Sequence, residues 1–152
     1  MASSPKGTTF SLFLPVAAAD AAQQGAPTAC TEVPRARRIL VVDDNPDVRW
    51  VVARMLADAG HTVESADAAH ALDLDTQGHR FDVLLTDMVM PQVSGVELAA
   101  RLRSANPALP VVFMTGYVDP EVLAQLPSSA VVLRKPVTVA ALVSAVAAVT
   151  GV

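Results

Sequence analysis

A single cysteine, Cys30, stands in a stretch rich in alanine and proline. With no second thiol to pair, a disulfide framework is excluded, and a reducing, cytoplasmic setting is expected. Histidine is sparse as well. His61, His70 and His79 lack metal-ligand spacing and a cysteine partner, and they read as ordinary surface or half-buried side chains. Basic patches are missing: Arg35, Arg37 and Arg38 form the only cluster and read as a solvated linker end. At a net charge of −4, that absence argues against nucleic acid as a direct partner. No apolar run is long enough to span a membrane. Lys6 followed by residues 10–19 loosely imitates a secretory signal, but Ser11 and Pro15 interrupt it, so export is not expected.

What is present is a chain of 152 residues, 52% apolar, enough for one domain with a proper core. Residues 16–37 carry Ala, Pro, Gln and Thr without a sustained period and read as a linker. From Arg38 onward, short apolar runs alternate with helix-period segments. Ile39-Leu40-Val41-Val42 is a strand by length and β-branching. Asn45-Pro46 supplies an N-cap and a first-turn proline. Val48, Val51, Val52, Met55, Leu56 and Ala59 then follow at helical spacing until Gly60.

The pattern repeats. A strand over residues 61–64 precedes a helix over 67–77, and a third strand over 81–86 leads to Asp87. The next helix, 94–104, is expected to bury Val96, Leu98, Ala99 and Leu102. A strand over 111–114 ends at Thr115-Gly116, a short helix spans 120–126, a strand covers 131–133, and Thr138 caps a helix to Val149. Five strand–helix repeats predict an α/β fold: a five-stranded parallel sheet, order 2-1-3-4-5, with helices on both faces.

Chemistry gathers at the strand ends: the pair Asp43-Asp44, then Asp87, Thr115 and Lys135, one of two lysines in the chain. In a parallel sheet those ends converge on one crevice. Clustered carboxylates would repel a phosphoryl group unless a divalent cation, Mg²⁺ or Mn²⁺, lay between them. Asp44 and Asp87 are the expected direct ligands, with Asp43 acting through water and the Val89 backbone carbonyl completing the set. The Lys135 ammonium and the Thr115 hydroxyl would hold phosphate oxygens, leaving Asp87 as nucleophile.

Residues 38–150 resemble the receiver domain of bacterial two-component response regulators, whose fold is flavodoxin-like. The resemblance is carried by Val41-Val42-Asp43-Asp44-Asn45-Pro46, Thr86-Asp87-Met88-Val89-Met90-Pro91, Ser94-Gly95, Thr115-Gly116 and Lys135-Pro136. It implies that Asp87 is the phosphoacceptor and that the donor is a phosphohistidine of a sensor histidine kinase or a histidine phosphotransfer domain. It implies a module that phosphorylates and dephosphorylates itself rather than an enzyme, and a cis Lys135-Pro136 peptide.

Departures from the family are informative. Val132 stands where an aromatic residue usually follows the movement of the Thr115 hydroxyl, and Val137 replaces a common aromatic, so a muted switch is expected. Val89 and Tyr117, two residues beyond Asp87 and Thr115, occupy positions that tune phosphoryl lifetime in the family. An apolar group and a bulky ring there should slow hydrolysis. Trp50 falls off the apolar stripe of its helix and reads as a surface ring, or as an anchor for a kinase helix pair.

Residues 7–15, Gly-Thr-Thr-Phe-Ser-Leu-Phe-Leu-Pro, alternate as a strand. They resemble the closing strand of the ATP-binding domain of sensor histidine kinases. Residues 1–15 are thus expected to be a kinase remnant without a strand partner, and the whole a piece of a hybrid sensor kinase. A stand-alone single-domain regulator acting by protein contacts is the alternative. An aspartate-nucleophile phosphatase of the haloacid dehalogenase kind is disfavoured, because Asn45 stands where its second aspartate should and no acidic residue follows Lys135. An unphosphorylated interaction domain is disfavoured because every acceptor-site residue is present.

Overall fold

Residues two apart on a strand share a face, and the central strands use this to feed two cores at once. In β3 (Arg38–Val42), Ile39 and Val41 enter one layer and Leu40 and Val42 the other. In β5 (Val83–Asp87) and β6 (Val111–Thr115), Val83, Leu85, Val112 and Met114 join the first layer, and Leu84, Val111 and Phe113 the second. The structure, a computed structural model, describes residues 2–4, 7–9, 35–116, 126 and 130–151.

The chain divides into two units, Met1–Glu32 and Val33–Val152. In the first, β1 (Ala2–Ser4) pairs antiparallel with β2 (Gly7–Thr9), Ala2 opposite Thr9 and Ser4 opposite Gly7. The expectation of a strand without a partner is corrected for residues 7–9, whose backbone pairs with that of residues 2–4. Residues 10–15 and most of the linker lie outside the described residues.

The second unit continues with α1 (Pro46–Asp58), β4 (Thr62–Ala66), α2 (Ala68–Thr76), α3 (Gly95–Ala105), β7 (Val131–Arg134) and α4 (Val139–Thr150). Its five strands are parallel in the order β4-β3-β5-β6-β7, which is the expected 2-1-3-4-5. Val52 and Leu56 of α1 and Leu142, Ala145 and Val146 of α4 cover one face. Ala71 and Leu74 of α2 and Leu98, Ala99 and Leu102 of α3 cover the other. Each fully buried leucine removes enough apolar surface to contribute about 1.5–3 kcal/mol.

Local chemistry sets the helix ends. The side chains of Asn45, Asp67, Ser94 and Thr138 accept N–H groups of the first turns of α1, α2, α3 and α4. Gly60 (φ 93°) and Gly78 (φ 82°) take the left-handed backbone that stops α1 and α2.

Four expectations are corrected. Val96 is 37% exposed, because the buried stripe of α3 is Gly95, Leu98, Ala99 and Leu102, and Val96 lies about 100° away from it. Val51, 41% exposed, sits at the edge of the α1 stripe beside Pro136 and Val137. β5 begins at Val83 rather than residue 81, since the Asp82 carboxylate turns to accept the Arg38 N–H at 2.8 Å. His61 is buried: its N–H donates to Leu56 O, and its Nδ1 accepts the Arg37 N–H at 3.4 Å. Burial, and then the charge of Arg37, lower its pKa below the ordinary value. The expected helix over 120–126 falls almost wholly outside the described residues.

Candidate functional site

The strand order reverses between β3 and β5, and a crevice opens there at their carboxyl ends. Register brings the chemistry to that rim. Val42 lies opposite Thr86, Asp87 opposite Met114, and Thr115 opposite Arg134. Asp43 and Lys135, each one residue further on, therefore emerge beside Asp87 and Thr115. The Lys135 N–H donates to Thr115 O at 2.8 Å, tying the last two strand ends together. The Lys135-Pro136 peptide is cis, as the resemblance implied.

Lys135 Nζ donates to Asp43 Oδ2 at 2.6 Å and to Asp87 Oδ2 at 2.8 Å. Burial alone would lower the lysine pKa, but hydrogen bonds to Asp43 and Asp87 and the charge of both carboxylates hold it above its ordinary value. The other oxygens are engaged as well. Asp43 Oδ1 accepts the Asn45 N–H at 2.9 Å, and Asp87 Oδ1 accepts the Val89 N–H at 3.3 Å. Each Asp43 oxygen thus accepts one protein donor, whereas Asp44 is exposed and its carboxylate meets none among the described residues.

One carboxylate oxygen from each of Asp43, Asp44 and Asp87 can be chosen so that all three lie within 4.8 Å of one another. At an effective dielectric of about 20, Asp43 and Asp87 at such a spacing would repel by roughly 3 kcal/mol, less where water screens them. One ammonium does not neutralise three carboxylates. A hard divalent cation with oxygen ligands fits this donor set, which offers neither sulfur nor imidazole. Asp44 and Arg49 line an open pocket of about 380 Å³ together with Met90, Pro91 and Val93, so Asp44 borders accessible space.

Thr115 is buried at the end of β6. Val89 is 72% exposed, directly beside the acceptor candidate. Val132 is half-buried against the core under α2 and α3, and Tyr117 lies outside the described residues.

Two contacts escaped the sequence reading. Arg49 Nη1 donates to the Asp43 backbone carbonyl at 2.6 Å. The available signal was a cation in a helix's first turn, where the macrodipole disfavours positive charge. Gly95 abuts the Asp87 backbone so closely that a Cβ would lie 2.0 Å from Asp87 O. Its motif was visible, but that steric role was not.

Residues 39–147 match the sequence model of the response regulator receiver domain. The chain belongs to this family. Receivers are phosphoacceptor modules of two-component systems, bind Mg²⁺ through an acidic aspartate cluster, and interact with histidine kinases or phosphotransfer partners. The chain is 32% identical over 135 residues to the sensor kinase CckA of Brucella abortus, covering 82% of this chain and 14% of that one. It is 36% identical over 104 residues to the receiver protein CpdR of the same organism, covering 66% of this chain and 85% of CpdR. A receiver protein from Sinorhizobium medicae superposes with a TM-score of 0.70 at 28% identity, covering 77% of this chain and 96% of its own. The chain thus spans a small part of the sensor kinase. No helix of the described residues is long and apolar enough to cross a membrane.

Proposed function

We propose that residues 38–150 take a phosphoryl group from a phosphohistidine onto Asp87, with Mg²⁺ held by Asp44, Asp87 and the Val89 carbonyl and reached by Asp43 through water. The observation that carries this reading is the Lys135 ammonium bridging Asp43 and Asp87 at the carboxyl rim of the sheet. An Asp87 oxygen attacks phosphorus as the phosphorus–nitrogen bond breaks, and the electron pair leaves with the imidazole. Mg²⁺ would neutralise charge on the phosphoryl oxygens. The protein's part is placement. Lys135 turns from Asp87 to a phosphoryl oxygen once Asp87 is esterified, and the Thr115 hydroxyl takes another.

The two acidic groups flanking Asp87 divide their labour. Asp43, already held by Lys135 and the Asn45 N–H, is suited to an indirect role. Asp44, exposed and without a protein donor, is suited to direct ligation. Incubation with Mg²⁺ and acetyl phosphate should add one phosphoryl group by intact mass in the wild type and none in Asp87→Asn. Equal labelling of the two would reject Asp87 as the acceptor.

We read the surrounding polypeptide as a hybrid sensor histidine kinase, with the phosphoryl group arriving from its own kinase core or a phosphotransfer partner. The match to the sensor kinase covers more of the chain than residues 35–152 contain, so it extends upstream of the receiver into the linker. The CpdR match supports the alternative, a stand-alone regulator, with shorter coverage. Sequencing the gene upstream of Met1 separates them: an ATP-binding domain in the same frame supports the hybrid, and a stop codon removes it.

A further inference from the structure

Asp44 is the acidic group of the cluster that the protein grips least. Asp43 is fastened by Lys135 and the Asn45 N–H, and Asp87 by Lys135 and the Val89 N–H. No hydrogen bond or ion pair reaches the Asp44 carboxylate among the described residues. With no side-chain partner, its place is set by its backbone, and so in part by the peptide that joins it to Asp43. That peptide is planar, so the Asp43 carbonyl oxygen and the Asp44 nitrogen turn together. Arg49 holds that oxygen, with Nη1 at 2.6 Å.

The position of Arg49 suits this contact. It is the fourth residue of α1, and its own N–H donates to Asn45 O at 3.0 Å. Side chains on a helix lean toward its N-terminus, which here aims a long guanidinium back at the Asp43-Asp44 loop. A positive charge in that turn opposes the helix macrodipole and stands beside the proposed cation site. Attraction to the neighbouring carboxylates is one reason for an arginine there. The charge-assisted bond to a backbone carbonyl supplies a different one.

We propose that Arg49 is a positioning residue for divalent-cation binding, holding the Asp43–Asp44 peptide so that the Asp44 carboxylate faces Asp87. This rests on the reading that Asp43, Asp44 and Asp87 hold Mg²⁺. Magnesium requires near-ideal octahedral geometry, so a ligand that swings costs affinity. Loss of a group that orients a ligand typically weakens metal binding by about 10–100-fold.

The sign of the effect separates a clamp from a charge. If Arg49 were only a nearby cation, removing it would tighten Mg²⁺ binding. A clamp predicts the reverse. The test is an NMR titration of the metal-free full chain with Mg²⁺, comparing wild type with Arg49→Met and Arg49→Lys. Arg49→Met should bind at least about tenfold more weakly, with Arg49→Lys in between. Before any metal is added, the Asp43 carbonyl ¹³C resonance should shift in Arg49→Met, reporting the lost hydrogen bond, while urea unfolding in EDTA reports an intact fold. Should Arg49→Met fail to fold, Arg49→Gln, too short to reach the carbonyl, replaces it with the same outcomes. Unchanged or tighter Mg²⁺ binding in the variant overturns the clamp alone. Absence of Mg²⁺ binding by the wild type removes the metal reading and the clamp with it.

Discussion

Replacing Gly95 with alanine should damage stability and phosphorylation together, although alanine is the better helix former. Gly95 opens α3, and its N–H donates to Met88 O at 3.0 Å, one residue beyond Asp87. An added Cβ would lie 2.0 Å from Asp87 O, 2.9 Å from Asp87 C and 3.1 Å from Thr86 Oγ1. A comfortable carbon–oxygen approach is about 3.3 Å, so the helix or the strand end must yield by about 1 Å. Both are backbone in a packed layer, and forced overpacking of this kind costs about 1–3 kcal/mol. The compensating propensity gain is at most about 1 kcal/mol, and smaller at a first helical residue.

A net loss of about 1–2 kcal/mol remains. At the urea dependence of small domains it lowers the unfolding midpoint by about 1 M. If the strand end gives way, Asp87 moves with it, and a misplacement of about 1 Å can slow a positioned reaction by about 100-fold. Urea unfolding and timed intact-mass labelling with acetyl phosphate and Mg²⁺ measure the two effects. A Gly95→Ala chain with the wild-type midpoint and labelling rate would refute the steric reasoning.

Four further outcomes follow from the same geometry. The raised pKa of Lys135 means its contribution is fully present below about 10.5 and is lost as pH climbs through the higher folded value; Lys135→Met should flatten that alkaline limb in urea unfolding. His61 has the opposite linkage: its lowered pKa makes acidification unfavourable to the fold from about 6.5 downward, and His61→Gln should show a smaller loss of urea midpoint between pH 7 and 5. Val89→Asn should hasten loss of the phosphoryl group by offering the attacking water a polar neighbour, and an unchanged lifetime by mass spectrometry would count against a role for Val89. Val132 has no ring to swing inward, so phosphorylation should produce only small NMR shift changes at Val132 and its neighbours; large ones would contradict a muted switch.

Short-range chemistry carried much of the reading. The β-branched runs ending at Val42 and Thr115, the proline after Asn45 and the glycines at 60 and 78 act within a turn or two, so their consequences are written locally. The residues at the strand ends followed from the same runs, because a parallel sheet leaves its ligands only one rim to share. Stripe edges were less legible. Val51 and Val96 fit a helical period, but what covers them depends on neighbours the period cannot name.

Residue types, the order of the described elements from β3 to α4, and the strand ends that carry Asp43, Asp87, Thr115 and Lys135 were thus legible in the sequence itself. Folding alone decided which atoms meet: Lys135 with Asp43, 92 residues away, Arg49 with the Asp43 carbonyl, and Gly95 against the Asp87 backbone. The reason is distance. Propensity and capping act between neighbours along the chain, whereas contacts of a few ångströms between distant segments are fixed by strand register and close packing, where a shift of one residue would turn every side chain of a strand to the opposite face.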